Sequence, residues 1–387
     1  MHRLLAAIAA FVMISCEASV GSTLPAGGER VRQAFSLHIP SPPTIAQVDG
    51  ASRLAYELHL TNFARVPLTI TAVEVVDDTA GKVVLRIGGS ELAAAVGGPG
   101  VGGTGEARRT VETGRLAVVY LDHALSSTPP ERLRHRVEFD VHAIAGRESA
   151  TIVGAVAPVS SVPLPILSPP LSGGPWAAIY DPALESGHRR YLYAVGGQAR
   201  IPGRFAIDWM WAGPLADGGT KANRITGAGA PVLAVADAVV VATRDDVPEL
   251  APGAPRSPLT LADATGNYVA LDLGGGRYAF YEHLAPGLLV RSGERVRRGQ
   301  VIARLGSTGQ ASRPHLHFHV ADANSPLAAE GQPYRLEGYR TLGSYDSIAA
   351  FEGGVPWRPN PVMRDGPALP GPNAVVMFND LGSGRLR

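Results

Sequence analysis

The run Arg313–Val320 reads Arg-Pro-His-Leu-His-Phe-His-Val, and this alternation constrains the fold more than any other feature of the chain. Alternate residues of an extended strand share a face. His315, His317 and His319 therefore point one way, and Leu316, Phe318 and Val320 point into a core. Three imidazoles on one face are costly to bury without partners. A metal ion or an acid–base role supplies such partners, whereas a histidine-rich surface strand needs none.

The surrounding sequence favours a site. Arg204-Phe-Ala-Ile-Asp208-Trp209 sets one carboxylate among apolar neighbours, and Tyr278–Leu284 carries His283 near a strand end, on the face of Tyr281 by alternation. The segments Pro231–Val240 and Val290–Ala303 read as short strands joined by tight turns. The turn at Gly306-Ser-Thr-Gly309 supplies glycines where positive φ is needed.

The N-terminal half alternates in the same period, as in Leu54–Thr61, Leu68–Val76, Leu116–Leu121 and Val137–Val141. Short strands separated by turn-rich segments predict an all-β chain, with an immunoglobulin-like β-sandwich over 23–158. His123, His135 and His142 are scattered there and read as surface or packed histidines. Residues 159–175 are proline-rich and read as a stiff linker. A second domain follows over 176–344, and a Pro- and Gly-rich tail occupies 345–387, with Ala374–Phe378 as a possible last strand.

Residues 1–22 read as a signal peptide: a short basic start, then the apolar run Leu4–Ile14, too short to span a bilayer. Cys16 is the only cysteine, so no intrachain disulfide forms. Its place at the end of the apolar run makes it a candidate lipidation site, with an ordinary cleaved signal as the alternative. Export to the periplasm or cell envelope follows, with membrane attachment only through such an anchor. A formal net charge of +1 and the lack of a polybasic run argue against nucleic acid as a partner.

The ordered set of the Val290–Ala303 glycine run, the Gly306–Gly309 turn and Pro314-His-Leu-His-Phe318 resembles the lysostaphin-type zinc endopeptidases, over roughly 188–322. The resemblance implies an antiparallel β-sheet groove and a hydrolase that cuts peptide bonds of peptidoglycan. It implies zinc held by Asp208 and His317, with His315 and His283 as catalytic residues flanking the metal. Peptidoglycan peptides are the implied partner; nothing in the sequence points to a protein partner.

The pattern breaks at one ligand. Arg204 and Ala206 stand where the family has a histidine and a glycine. A guanidinium has no lone pair for a metal. Three arrangements remain open. His188 could reach the site from a neighbouring segment. His319 lies on the right face but about 6.6 Å farther along the strand. Or Arg204 could pair with Asp208 in place of zinc, leaving an inactive groove that binds cell wall or regulates its hydrolysis. An active site requires Arg204 to turn away, stem on apolar surface and head in water. Trp209 and Trp211 read as core. Two insertions, 213–229 and 244–264, are expected at the rim of the groove.

Overall fold

The computed structural model describes residues 34–99, 101–143, 146–213, 227–249, 260–362 and 366–379. The apolar run, Cys16, most of the 213–229 insertion and residues 250–259 of the second insertion lie outside these residues. No helix among the described residues is long and apolar enough to cross a membrane.

The chain is all-β, and its large sheets are antiparallel. The first eight strands labelled here are β1 (Phe35–His38), β2 (Thr44–Val48), β3 (Ala51–Asn62), β4 (Leu68–Asp77), β5 (Val83–Gly88), β6 (Leu116–Ala124), β7 (Arg132–Ala143) and β8 (Gly146–Pro158). In one sheet β1 and β2 pair with β3, and β3 pairs with β6; in the other the order is β8-β7-β4-β5. Alternation sends Tyr56, Leu58 and Leu60 of β3 into one cluster with Ile70, Val119, Val137 and Phe139. A bulge between Ile70 and Ala72 resets the phase of β4, so Val73 and Val75 also point inward.

Ten strands form the second large sheet. They are β9 (Gly173–Ile179), β10 (Ile207–Trp211), β11 (Ala238–Arg244), β12 (Asn267–Gly274), β13 (Arg277–Leu284), β14 (Arg295–Val296), β15 (Leu316–Ala321), β16 (Tyr339–Ser344), β17 (Arg358–Val362) and β18 (Ala374–Phe378). Their order is β14-β11-β12-β13-β15-β10-β9-β18-β16-β17. The C-terminal strand thus sits between β9 and β16.

The proline-rich segment packs on this sheet: Leu167 and Leu171 join its core, and Ile166–Leu167 pair in parallel with Arg335–Leu336. Trp209, Tyr281, Leu316 and Phe318 fill the same core, as the alternation of their strands requires. Val118 and Tyr120 of β6 pack on Ile201, so the outer face of the first sheet is covered by the segment leading into β10.

Candidate metal and catalytic centre

Three neighbouring strands build the floor of the site. Asp208 on β10 pairs with His317 on β15, which pairs with Glu282 on β13. These side chains form one polar rung across the sheet. The flanking rung of Ile207, Phe318 and Tyr281 points into the core.

His188 enters from outside the sheet, on a single 3-10 turn (His188–Arg190). Its Nε2 lies 2.9 Å from Asp208 Oδ2, and His317 Nδ1 lies 2.8 Å from Asp208 Oδ1. The approach depends on Gly203, where an added Cβ would stand 2.8 Å from the His188 Cβ. Of the three arrangements left open by the sequence, His188 is the residue brought to the Asp208–His317 pair.

Arg204 points elsewhere, though not into water. Its Nε donates to Glu57 Oε2 at 2.8 Å, and its other nitrogens donate to Glu330 Oε2 at 2.7 Å and the Gly331 carbonyl at 3.0 Å. Arg189, next to His188, donates to Glu57 Oε1 at 3.1 Å, to Asp122, and to the carbonyls of Tyr56 and Leu121. Burial pushes the Glu57 carboxyl up, but Arg204 and Arg189 outweigh it and hold it below its ordinary value. The expected solvated head is therefore corrected. β3 offers a buried carboxylate, so the guanidinium is paired inside the protein.

The two remaining histidines are set by backbone carbonyls. His315 Nδ1 is 2.9 Å from the Arg313 carbonyl, and His283 Nδ1 is 2.9 Å from the Thr308 carbonyl. A carbonyl only accepts, so each Nδ1 carries a proton and donates it there. His315 Nε2 stands 3.6 Å from Asp208 Oδ1. The rings of His283 and His315 are 4.7 Å apart.

Alternation put His283 on the face of Tyr281, and the structure differs. Tyr281 is in the core, its hydroxyl accepting from the Val235 amide at 2.8 Å. A bulge opposite Asn267–Val269 and a φ of 62° at His283 turn this side chain to the groove instead. Gly266 lets Thr308 close on the bulge, since a Cβ there would meet Thr308 Oγ1 at 2.4 Å.

The electrostatics follow from burial and one carboxylate. Burial pushes Asp208 up, but His188 and His315 outweigh it and hold it well below its usual range. Burial lowers His188, yet Asp208 raises it above its ordinary value. Burial, then the neighbouring His315 and His317, keep His283 neutral.

His188, Asp208 and His317 offer donor atoms within 4.8 Å of one another. Two imidazole nitrogens and a carboxylate oxygen, with a fourth side left to the groove, match a catalytic zinc site with three protein ligands. The donors are already gathered by hydrogen bonds to Asp208, so the residues fit a metal without a change of fold. His319 lies beyond this trio, its ring stacked on Phe280. Sequence reasoning missed Glu57, Glu330 and Glu282. The only signal for Glu282 was a carboxylate inside the apolar strand Tyr278–Leu284.

Residues 221–329 match the sequence model described as Peptidase family M23. That stretch includes His283, His315 and His317 and begins after His188 and Asp208. The chain is 36% identical over 101 residues to peptidoglycan DD-endopeptidase ShyA of Vibrio cholerae, covering 26% of this chain and 20% of the relative. It is 42% identical over 64 residues to ShyB of the same organism, covering 16% and 15%. The chain thus spans a fifth or less of the length of these curated relatives. Among solved structures, a zinc containing peptidase from Vibrio cholerae is 16% identical, with 74% of this chain and 82% of that chain covered and a TM-score of 0.25. The catalytic domain of lysostaphin from Staphylococcus simulans is 20% identical, with 42% and 88% covered and a TM-score of 0.23. The stretch that carries His283, His315 and His317 is thus similar to peptidase family M23, and the likeness rests on residues 221–329.

Proposed function

We propose that this protein is a zinc-dependent endopeptidase that hydrolyses peptide bonds of peptidoglycan in the cell envelope. The observation that carries the reading is His188 beside Asp208 and His317, which restores the third ligand that Arg204 cannot provide. With Arg204 held by Glu57 and Glu330, the ground for an inactive groove falls away.

His188, Asp208 and His317 would hold one zinc ion, which supplies Lewis acidity toward a carbonyl and toward water. The protein's own groups do the rest. His315 and His283 each give the Nδ1 proton to a backbone carbonyl, so Nε2 is the atom through which either ring can accept a proton as a general base. The imidazolium so formed can donate a hydrogen bond to developing negative charge or return the proton to a leaving amine. The carbonyls of Arg313 and Thr308 keep both rings oriented between turnovers.

The substrate follows from the relatives, which are peptidoglycan DD-endopeptidases by name. Residues 23–158 serve in this reading as an accessory domain whose sheet buttresses the centre. Export with a lipid anchor at Cys16 is the finer form of the envelope location, checked by moving Cys16→Ser from the membrane to the soluble fraction. The activity is tested with purified full-length protein on cross-linked peptidoglycan, released peptides being read by mass spectrometry. Release that stops with a chelator, returns with zinc and is absent in a zinc-loaded His315→Ala protein is the expected result. Turnover that persists in His315→Ala, or is indifferent to chelation, would reject it.

A further inference from the structure

We propose that Glu282 and His319, together with His317, form a second site for a divalent transition-metal ion beside the one assigned to His188, Asp208 and His317. This goes beyond the proposed single zinc but rests on it in sharing His317.

The geometry comes first. Glu282, His317 and His319 each offer a donor atom, and these atoms lie within 4.8 Å of one another. Glu282 Oε1 and His319 Nδ1 are 3.7 Å apart, too far for a hydrogen bond. Two donors that share one zinc-like ion at tetrahedral angles stand about 3.3–3.6 Å apart. The gap is therefore close to what a common cation needs.

The second observation is unsatisfied polarity. Glu282 is 5% exposed and His319 1% exposed. Among the described residues, Glu282 Oε1 and both nitrogens of His319 have no hydrogen-bond partner, and no arginine or lysine pairs with Glu282. Each buried polar atom left so has given up its bonds to water without a replacement, which is costly, and more so if charged. The protein compensates its other buried carboxylates thoroughly: Glu57 has two arginines, Glu330 has Arg204, and Asp208 has two imidazoles. Glu282 and His319 stand out as donors held ready for something the described residues do not themselves provide.

They also border a cavity and are fixed in place. Both line a cavity of about 210 Å³ with His188, His283 and His317, which gives an ion its entry. Phe280 stacks on the His319 ring at 5.0 Å and 14°, and the bulge after Glu282 sets its strand. Imidazole with carboxylate suits zinc, cobalt or manganese rather than calcium. His317 Nδ1 faces Asp208, so its Nε2 is the atom left for the second ion. Filling both sites uses both nitrogens of His317, the ring proton leaving to solvent.

Metal-free full-length protein is titrated with Zn²⁺, dialysed and assayed for bound metal by mass spectrometry, with Co²⁺ absorption as a coordination readout. The wild type is expected to hold two equivalents. Glu282→Gln, which keeps the side chain's size, and His319→Gln should each lose one, with an unchanged circular dichroism spectrum. His188→Ala should lose the other and keep the Glu282 ion. Should His319→Gln misfold, Glu282→Asp serves instead, with a weakened second equivalent expected. Metal content unchanged in Glu282→Gln but reduced in His188→Ala overturns the second site alone. Metal lost in Glu282→Gln and retained in His188→Ala supports the second site and removes the first.

Discussion

Replacing Glu57 should damage a centre to which it contributes no ligand. Glu57 is 1% exposed and ties Arg189 to Arg204. These arginines flank the site in sequence: Arg189 follows His188, and Arg204 stands four residues before Asp208. Glu57→Gln keeps shape but removes the charge that two buried guanidinium groups share. Breaking a buried ion pair by removing one partner costs about 3–5 kcal/mol. Arg189 keeps Asp122 and Arg204 keeps Glu330, which sets the expected loss near the lower end, about 3 kcal/mol. In a domain of this size that is a fall in Tm on the order of 5–10 °C. Zinc affinity should fall as well, because His188 loses the anchor of its own turn. A double-mutant cycle with Arg204→Met makes the test sharp: the pair should cost less than the sum of the two single changes. Thermal unfolding and zinc titration of the four proteins are sufficient. A Tm within 1 °C of wild type in Glu57→Gln, or strict additivity, would mean that Glu57 does not couple the two arginines.

Two further perturbations follow from the packing. Gly203→Ala places a methyl 2.8 Å from the His188 Cβ, so His188 must retreat; zinc affinity should fall at least about tenfold while β10 and β15 stay paired, and unaltered affinity would show that the contact yields. Burial pushes the His135 imidazole down to about 4, against the opposing Ala155 carbonyl. The unfolded chain takes up a proton near pH 6.5 that the fold refuses, so stability is complete above that pH and is lost as pH falls toward 4. His135 alone should contribute a loss of roughly 1.5 kcal/mol between pH 6.5 and 5, read from urea midpoints; a stability that holds or rises on acidification contradicts this.

The strands of the site were legible because period-two alternation survives in them. His315, His317 and Asp208 could be placed from Leu316, Phe318, Ile207 and Trp209, which the core demands. His283 escaped that logic, since a bulge and a left-handed residue break the period, and neither is visible as a pattern. The fate of Arg204 was hidden for another reason. Glu57 alternates with Tyr56 and Leu58 and reads as a solvent-facing residue of β3. It is buried only because the segment carrying Arg189 and Arg204 lies over that sheet, a contact between positions 132 and 147 residues apart. Tertiary burial of this kind leaves no local signal.

If His188 replaces the ligand that Arg204 cannot supply, zinc affinity measured on single variants will register it. Folded His188→Ala and His317→Ala proteins should both bind the tightest zinc equivalent more weakly, by roughly 100-fold or more. Arg204→Met should keep His188 chemistry and change affinity far less than either. A folded His188→Ala protein with undiminished zinc and undiminished turnover would contradict the assignment.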